Sequence, residues 1–430
     1  MTRYILAAWL FVAVVVLVIV SAIVPQFPDW LTGLVAWGAC LLLWPRLSRN
    51  QARVTLLLVA FGAAGVLWGA ASGKAGLFEK ALAQNIALIA MLISVSFLQL
   101  ISISPGAANE PLSTGRYALL KTLIGVHLFG AVINFSAVAI FADRLGTRAK
   151  LTLAQALGLT QAFMVGALWS PFFGAMAVAL IAAPGASLAR LMAVGIPVTV
   201  AAVLITWLTL SSKRYGHARD FAGYPLHLES LWVPAVLAIG VLVVHELKPA
   251  WSVLAIIAAL APLVTIITLL VREGNRALAS VKRLIDVRLP EMNGEMSLFL
   301  AAGVLSAGMS GMIAALDLEL PFQRFGGFEA SVVLAVIILF AWLGLHAVIM
   351  VSVMGPWLAP LNPDPTLLAM TFLMTWGVGL QACPMSNTLL AMHSRYGIPY
   401  KEVLAHNRVY SFKLMLLCIV ALNLYSAYAL

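Results

Sequence analysis

The chain reads Gly125-Val126-His127 and then Ser170-Pro171 in its first half, and Gly344-Leu345-His346 and then Cys383-Pro384 in its second. Each set is embedded in strongly apolar sequence, so a broken membrane segment occurs once per half. Paired interruptions of this kind are the mark of a secondary transporter that binds its solute between two repeats.

Composition agrees with a membrane setting. At 430 residues, 63% hydrophobic and 10% charged, with a mean hydropathy of +1.02, the chain is far more apolar than a soluble domain. It reads as an all-α polytopic membrane protein. Tyr4 to Val24 is long enough to span, and Pro25-Gln26-Phe27-Pro28 follows it in place of a small-residue cleavage site, so it reads as a retained helix. Cys40, Cys383 and Cys418 show no CxxC spacing, which suggests neither a disulfide framework nor a zinc site. No cofactor is expected. The net charge of +10 falls in short loops between spans, where cytoplasmic retention accounts for it, so no nucleic-acid partner is implied.

Apolar runs fall near 4–24, 30–45, 54–72, 85–103, 118–142, 151–183, 188–210, 230–245, 250–271, 296–315, 329–357, 365–393 and 409–429. Windows 151–183 and 365–393 exceed one straight span, and each has its proline inside. They are broken helices or re-entrant hairpins. Basic loops arbitrate: Arg46, Arg49 and Arg53; Lys213, Arg214 and Arg219; Arg272 to Arg288; and Arg395, Lys401 and Arg408 all suit the cytoplasm. Arg144, Arg148 and Lys150 join them if 118–142 and 329–357 are the hairpins. The converse assignment, with 151–183 and 365–393 as hairpins, stays open but would put those three basic residues outside.

The expected layout is therefore about eleven transmembrane helices plus two re-entrant hairpins, amino terminus cytoplasmic. Residues 1–29 form an extra helix, 30–211 a first repeat, 212–228 a cytoplasmic linker and 229–430 a second repeat. With five crossings per repeat and a cytoplasmic linker, the repeats are inverted. Leu278, Val281, Leu284 and Ile285 alternate with basic residues at helical spacing, which suits either an interfacial helix or a solvated connector.

Backbone interruptions inside a span are tolerated where protein buries them or water reaches them. The most polar one is Cys383-Pro384-Met385-Ser386-Asn387-Thr388. Proline frees a carbonyl, and Ser386, Asn387 and Thr388 add oxygens suited to Na+ or donors suited to a carboxylate; the alternative is a locally capped kink. Ser170, Pro171 and Gly174 form the less polar counterpart in the first half. His127 and His346 are expected near hairpin middles, where glycine permits a turn. Either could donate to an anion or carry a coupled proton, or be satisfied packing. Asn134, Ser136 and Ser352 supply neighbouring polar groups, and Gln161 and Gln381 suit interhelical hydrogen bonds or solute contact.

The layout resembles the ion transporter superfamily and, within it, the divalent anion sodium symporters; Ser386-Asn387-Thr388 carries the Ser-Asn-Thr pattern. The segment from Pro184-Gly185-Ala186-Ser187 to Gly195-Ile196-Pro197 also looks like the stretch after the broken helix there. The resemblance implies an elevator mechanism on a scaffold able to form a homodimer. It also implies symport of a small anionic substrate, a carboxylate or oxyanion, coupled to Na+ or H+, since helix amino ends at the breaks present partial positive charge. A bacterial cytoplasmic membrane is the expected location. The competing class is an intramembrane transferase acting on a lipid-linked substrate, with His127 or His346 as base.

Overall fold

Serine, threonine and aspartate set the starts of several helices in the way their sequence positions suggest. Ser48 with Gln51 and Thr152 with Gln155 form reciprocal capping boxes, and Asp364 accepts from Leu367 N at 2.8 Å with Pro365 in the first turn. The computed structural model describes residues 2–101, 112–146, 150–212, 215, 220–224, 232–316 and 322–429. Arg148, Lys213, Arg214 and Arg219, and most of the 212–228 linker, lie outside the described residues.

The helices in chain order are α1 (Thr2–Ile23), α2 (Asp29–Leu42), α3 (Arg49–Ala71), α4 (Leu77–Ala83), α5 (Ile86–Ser96), α6 (Arg116–Ile133), α7 (Phe135–Gly146), α8 (Leu153–Met164), α9 (Gly174–Ala182) and α10 (Leu188–Leu210). They continue with α11 (Trp232–Leu247), α12 (Val253–Glu273), α13 (Arg276–Arg283), α14 (Asn293–Leu316), α15 (Gly327–Trp342), α16 (Ala347–Leu358), α17 (Pro365–Gly379), α18 (Asn387–Tyr396) and α19 (Tyr400–Ala429). Two short strands, β1 (Ser113–Thr114) and β2 (Ala222–Gly223), pair antiparallel. Among the described residues, eight helices are long and apolar enough to cross a membrane: α1, α3, the α4–α5 run to Leu100, α6, α10, α12, the α13–α14 run and α19. Large apolar side chains such as Phe61 and Trp68 of α3 and Ile267 and Val271 of α12 remain exposed, as a lipid-facing surface requires.

The chain divides into two compact units. Unit 1 comprises Met1–Ile101, Ala235–Pro321 and Val351–Pro360. Its tightest interface joins α3 and α14, where backbones touch: a Cβ on Gly65 would lie 2.5 Å from Gly308 O, and one on Gly62 or Gly69 would be equally crowded by α14. Small residues permit such approach where two helices pack in lipid. One end of the unit gathers the start of α1, the end of α2 and the start of α14. There Arg46 stacks over Tyr4 at 4.5 Å, and Asn293 Nδ2 donates to Leu43 O at 3.0 Å. At the other end, Ser21 donates to Asp29 and Lys80 to Ser310.

Unit 2 comprises Ser102–Pro234, Phe322–Met350 and Leu361–Leu430. It contains both proline-bearing segments. α6 and α7 pack on each other across a turn at Asn134, whose φ is +53°. Here the structure departs from expectation: Gly125 and His127 lie inside α6, and the turn falls after it, at Asn134. Asn134 takes this positive φ with ψ −142°, outside the left-handed helical well, so the turn is made on a strained asparagine and not on the motif glycine. In the second half the break does fall at the motif, between α15 and α16, with Gly344 at φ +107°. The two Gly-x-His motifs therefore occupy different local structures.

Candidate functional site

The two proline segments share one plan. α8 continues through a 3-10 turn (Val165–Leu168), breaks around Pro171 and resumes as α9; α17 breaks around Pro384 and resumes as α18. They run antiparallel against each other. Gln381 meets Gln161, Gly377 meets Leu168, and Ser187 meets Thr366, so positions advance along one segment as they retreat along the other. The carboxyl ends of the two first halves, Val165–Leu168 and the end of α17, thereby come together.

The first break is sealed. α6 presents His127, Ala131 and Asn134, spaced i, i+4, i+7, to residues 162–172. Nδ1 of His127 lies 2.9 Å from Ala162 O, and Trp169 Nε1 donates to His127 Nε2 at 3.1 Å. Ser170 Oγ donates to Ala131 O and accepts from Phe172 N at 3.2 Å, and Asn134 Nδ2 reaches Phe172 O at 3.4 Å. Because Nε2 accepts from an indole N–H, the His127 proton sits on Nδ1 and the ring is neutral. From the other side, α10 closes on the break: a Cβ on Gly195 would lie 2.1 Å from Leu168 O, and Thr199 Oγ1 donates to Val165 O at 3.1 Å. Pro171 and Gly174 are buried.

The second break is open in its hydrogen bonding. Cys383 is buried, Ser386 N closes a turn on Cys383 O at 3.0 Å, and Tyr400 Oη donates to Pro384 O. Ser386 stands at the amino end of α18 without capping it, and its buried Oγ has no partner among the described residues. Gln381 Nε2 donates to Gln161 O at 3.3 Å while its Oε1 is buried and unpartnered; Gln161 Nε2 donates to Asn407 Oδ1 at 2.9 Å while Asn407 Nδ2 is likewise unpartnered. All four residues are at most 4% exposed. Native interiors rarely leave such atoms without partners. Thr388 is buried, whereas Asn387 is exposed.

His346 flanks this break. Its ring packs edge-on against Trp376 with centroids 5.3 Å apart, and its Nδ1 accepts from Val348 N at 3.2 Å, which leaves the ring proton on Nε2. Gly344 lies beside Met385 of the break itself. Each motif histidine thus rests on a tryptophan of its own half.

At the far end of α18, Arg395 pairs with Asp143 of α7 at 2.6 Å, and Tyr396 Oη donates to the same carboxylate at 2.7 Å. Burial, then the hydrogen bond and charge of Asp143, push the Tyr396 phenol above its usual range. Sequence reasoning passed over Asn407 and Asp143. The signal for Asn407 is present: Asn407 and Ser411 are spaced i, i+4 on α19, and Ser411 Oγ donates to Val378 O at 2.8 Å. Among the described residues no group of three or more His, Cys, Asp or Glu could hold a metal ion.

No protein family profile and no curated protein matches the chain. Among solved structures, the crystal structure of the Alcanivorax borkumensis YdaH transporter, described as having an unusual topology, is similar over 87% of this chain and 85% of that one. The identity is 15% and the TM-score 0.39.

Proposed function

We propose that the protein is a secondary active transporter for a small anionic solute, a carboxylate or an oxyanion, coupled to Na+ or H+ across a bacterial cytoplasmic membrane. The observation that carries this reading is the open second break, with Gln381 Oε1, Ser386 Oγ and Asn407 Nδ2 buried and unpartnered. Leaving a buried polar atom unsatisfied costs about 1–3 kcal/mol. A polar ligand that enters and leaves accounts for these atoms.

Chemistry supports both components of a coupled cycle. The amino end of α18, Asn407 Nδ2 and the Nε2–H of His346 are donors suited to an anion. Gln381 Oε1, Ser386 Oγ and backbone carbonyls at the carboxyl end of α17 are neutral acceptors suited to Na+. His127 contributes differently: with both ring nitrogens engaged it braces the first break and leaves solute binding to the second. Unit 2 contains both breaks, which supports it as the solute-carrying body of an elevator movement.

The test is uptake into liposomes containing the purified protein. Labelled carboxylates and oxyanions are offered under an inward Na+ gradient, an inward proton gradient or neither. Gradient-dependent accumulation of at least one anion is expected; its absence across the panel under both gradients overturns the reading.

A further inference from the structure

α12 ends at Gly274, whose φ of +57° turns the chain sharply, and α13 and the π-helical turn Leu284–Arg288 run back across the same end of unit 1. This stretch is amphipathic in an unusual way. Ala277, Leu284, Ile285 and Leu289 are buried, and the stretch packs on α12 and α1. Yet Leu278 is 64% and Val287 57% exposed, beside exposed Arg276, Lys282, Arg283 and Arg288. Lys282 and Arg288 pair with Asp286 and Glu291, while Arg276 and Arg283 form no ion pair among the described residues.

Guanidinium groups cannot sit in hydrocarbon, and exposed leucine and valine gain nothing from water. Only the boundary between the two satisfies both. The same end of unit 1 carries Arg46 over Tyr4, and Arg272 Nη1 reaches Ile101 O at 3.3 Å, so its charge is dominated by arginine. The opposite end carries Asp29 and Glu79 together with Lys74 and Lys80. By the bias of basic residues, the arginine-rich end faces the cytoplasm, where the leaflet is anionic.

We propose that residues 276–288 form a binding surface for anionic phospholipid headgroups, with Leu278 and Val287 in the acyl boundary and Arg276 and Arg283 on the phosphates. The surface lies in unit 1, away from the proline breaks in sequence, and is independent of what the protein carries.

The test uses the full-length protein. Cys40, Cys383 and Cys418 are buried, so a fluorophore on Leu278→Cys reports on that position alone, with Val287→Cys as the second site. The labelled protein is placed in nanodiscs of equimolar phosphatidylglycerol and phosphatidylcholine, with one or the other brominated on its acyl chains. Quenching is expected to favour brominated phosphatidylglycerol by about fivefold, the scale of one basic side chain at an anionic surface. R276Q combined with R283Q is expected to bring the ratio to near one with an unchanged melting temperature. Equal quenching by both lipids in the parent protein, quenching only by aqueous iodide, or protection from lipid and iodide alike would each overturn the proposal.

Discussion

The indole N–H of Trp169 donates to Nε2 of His127 at 3.1 Å, while Nδ1 of the same ring faces Ala162 O at 2.9 Å. One histidine thereby ties α6 to two points, Ala162 and Trp169, on the α8 side of the first break. His127→Ala is expected to lower stability by about 2–3 kcal/mol through lost hydrogen bonds and packing. Trp169→Phe, which keeps an aromatic ring but removes the indole N–H, should lose about 1 kcal/mol. Thermal unfolding in detergent checks both, and the double variant should fall short of the sum because the two side chains share one contact.

Ser386→Ala separates a structural from a ligand-binding role. The hydroxyl has no partner among the described residues, so its removal should leave stability unchanged or raise it slightly, by up to about 1 kcal/mol. Uptake should nevertheless fall at least about tenfold, the worth of roughly 1.4 kcal/mol of lost ligand contact.

Asn407→Leu removes the acceptor for Gln161 Nε2 at the centre of the amide cluster. A loss of about 1–3 kcal/mol is expected because Gln161 is left with a buried, unpaired donor. Gln161→Leu together with Asn407→Leu should recover part of that stability while uptake stays absent, a divergence visible by comparing melting temperatures with transport.

The Arg395 to Asp143 pair is exposed on both sides, so Asp143→Asn should change stability by less than about 1 kcal/mol. Its effect should appear instead in the Tyr396 phenol. Without the adjacent carboxylate charge that phenol should ionise at lower pH, measurable by ultraviolet difference titration against Tyr396→Phe.

Gly65→Leu should be among the most damaging substitutions in unit 1. The new Cβ would press on Gly308 O of α14, and overpacking against backbone costs at least about 1–3 kcal/mol. Gly38→Ala, where nothing lies within 4 Å, should instead gain up to about 1 kcal/mol from helix propensity. Melting temperatures of the two variants should move in opposite directions.

Most helix positions were legible because apolar runs bounded by charge and Pro/Gly are what a hydrocarbon solvent demands of a chain. The capping residues Ser48, Thr152 and Asp364 fixed several starts for equally local reasons. Other features depended on what lies across the fold. The turn at Asn134 was missed because a positive φ favours glycine, and Gly125 was the more conspicuous letter. Ser170 and Ser386 look alike in sequence; the Ala131 carbonyl beside one, and the want of a hydrogen-bond partner among the described residues for the buried hydroxyl of the other, separate them. Asn407 falls between the apolar windows 365–393 and 409–429, although α19 continues through it.

The sealed first break and the open second one mean that the two halves are not interchangeable. A protein assembled from two copies of the first half would hold two breaks tied by hydrogen bonds. One assembled from two copies of the second would hold two with buried polar atoms left over. On the function proposed above, the first break braces and the second receives, and mutational tolerance should follow that split: residues facing Pro171 should answer to shape, and residues facing Pro384 to the solute.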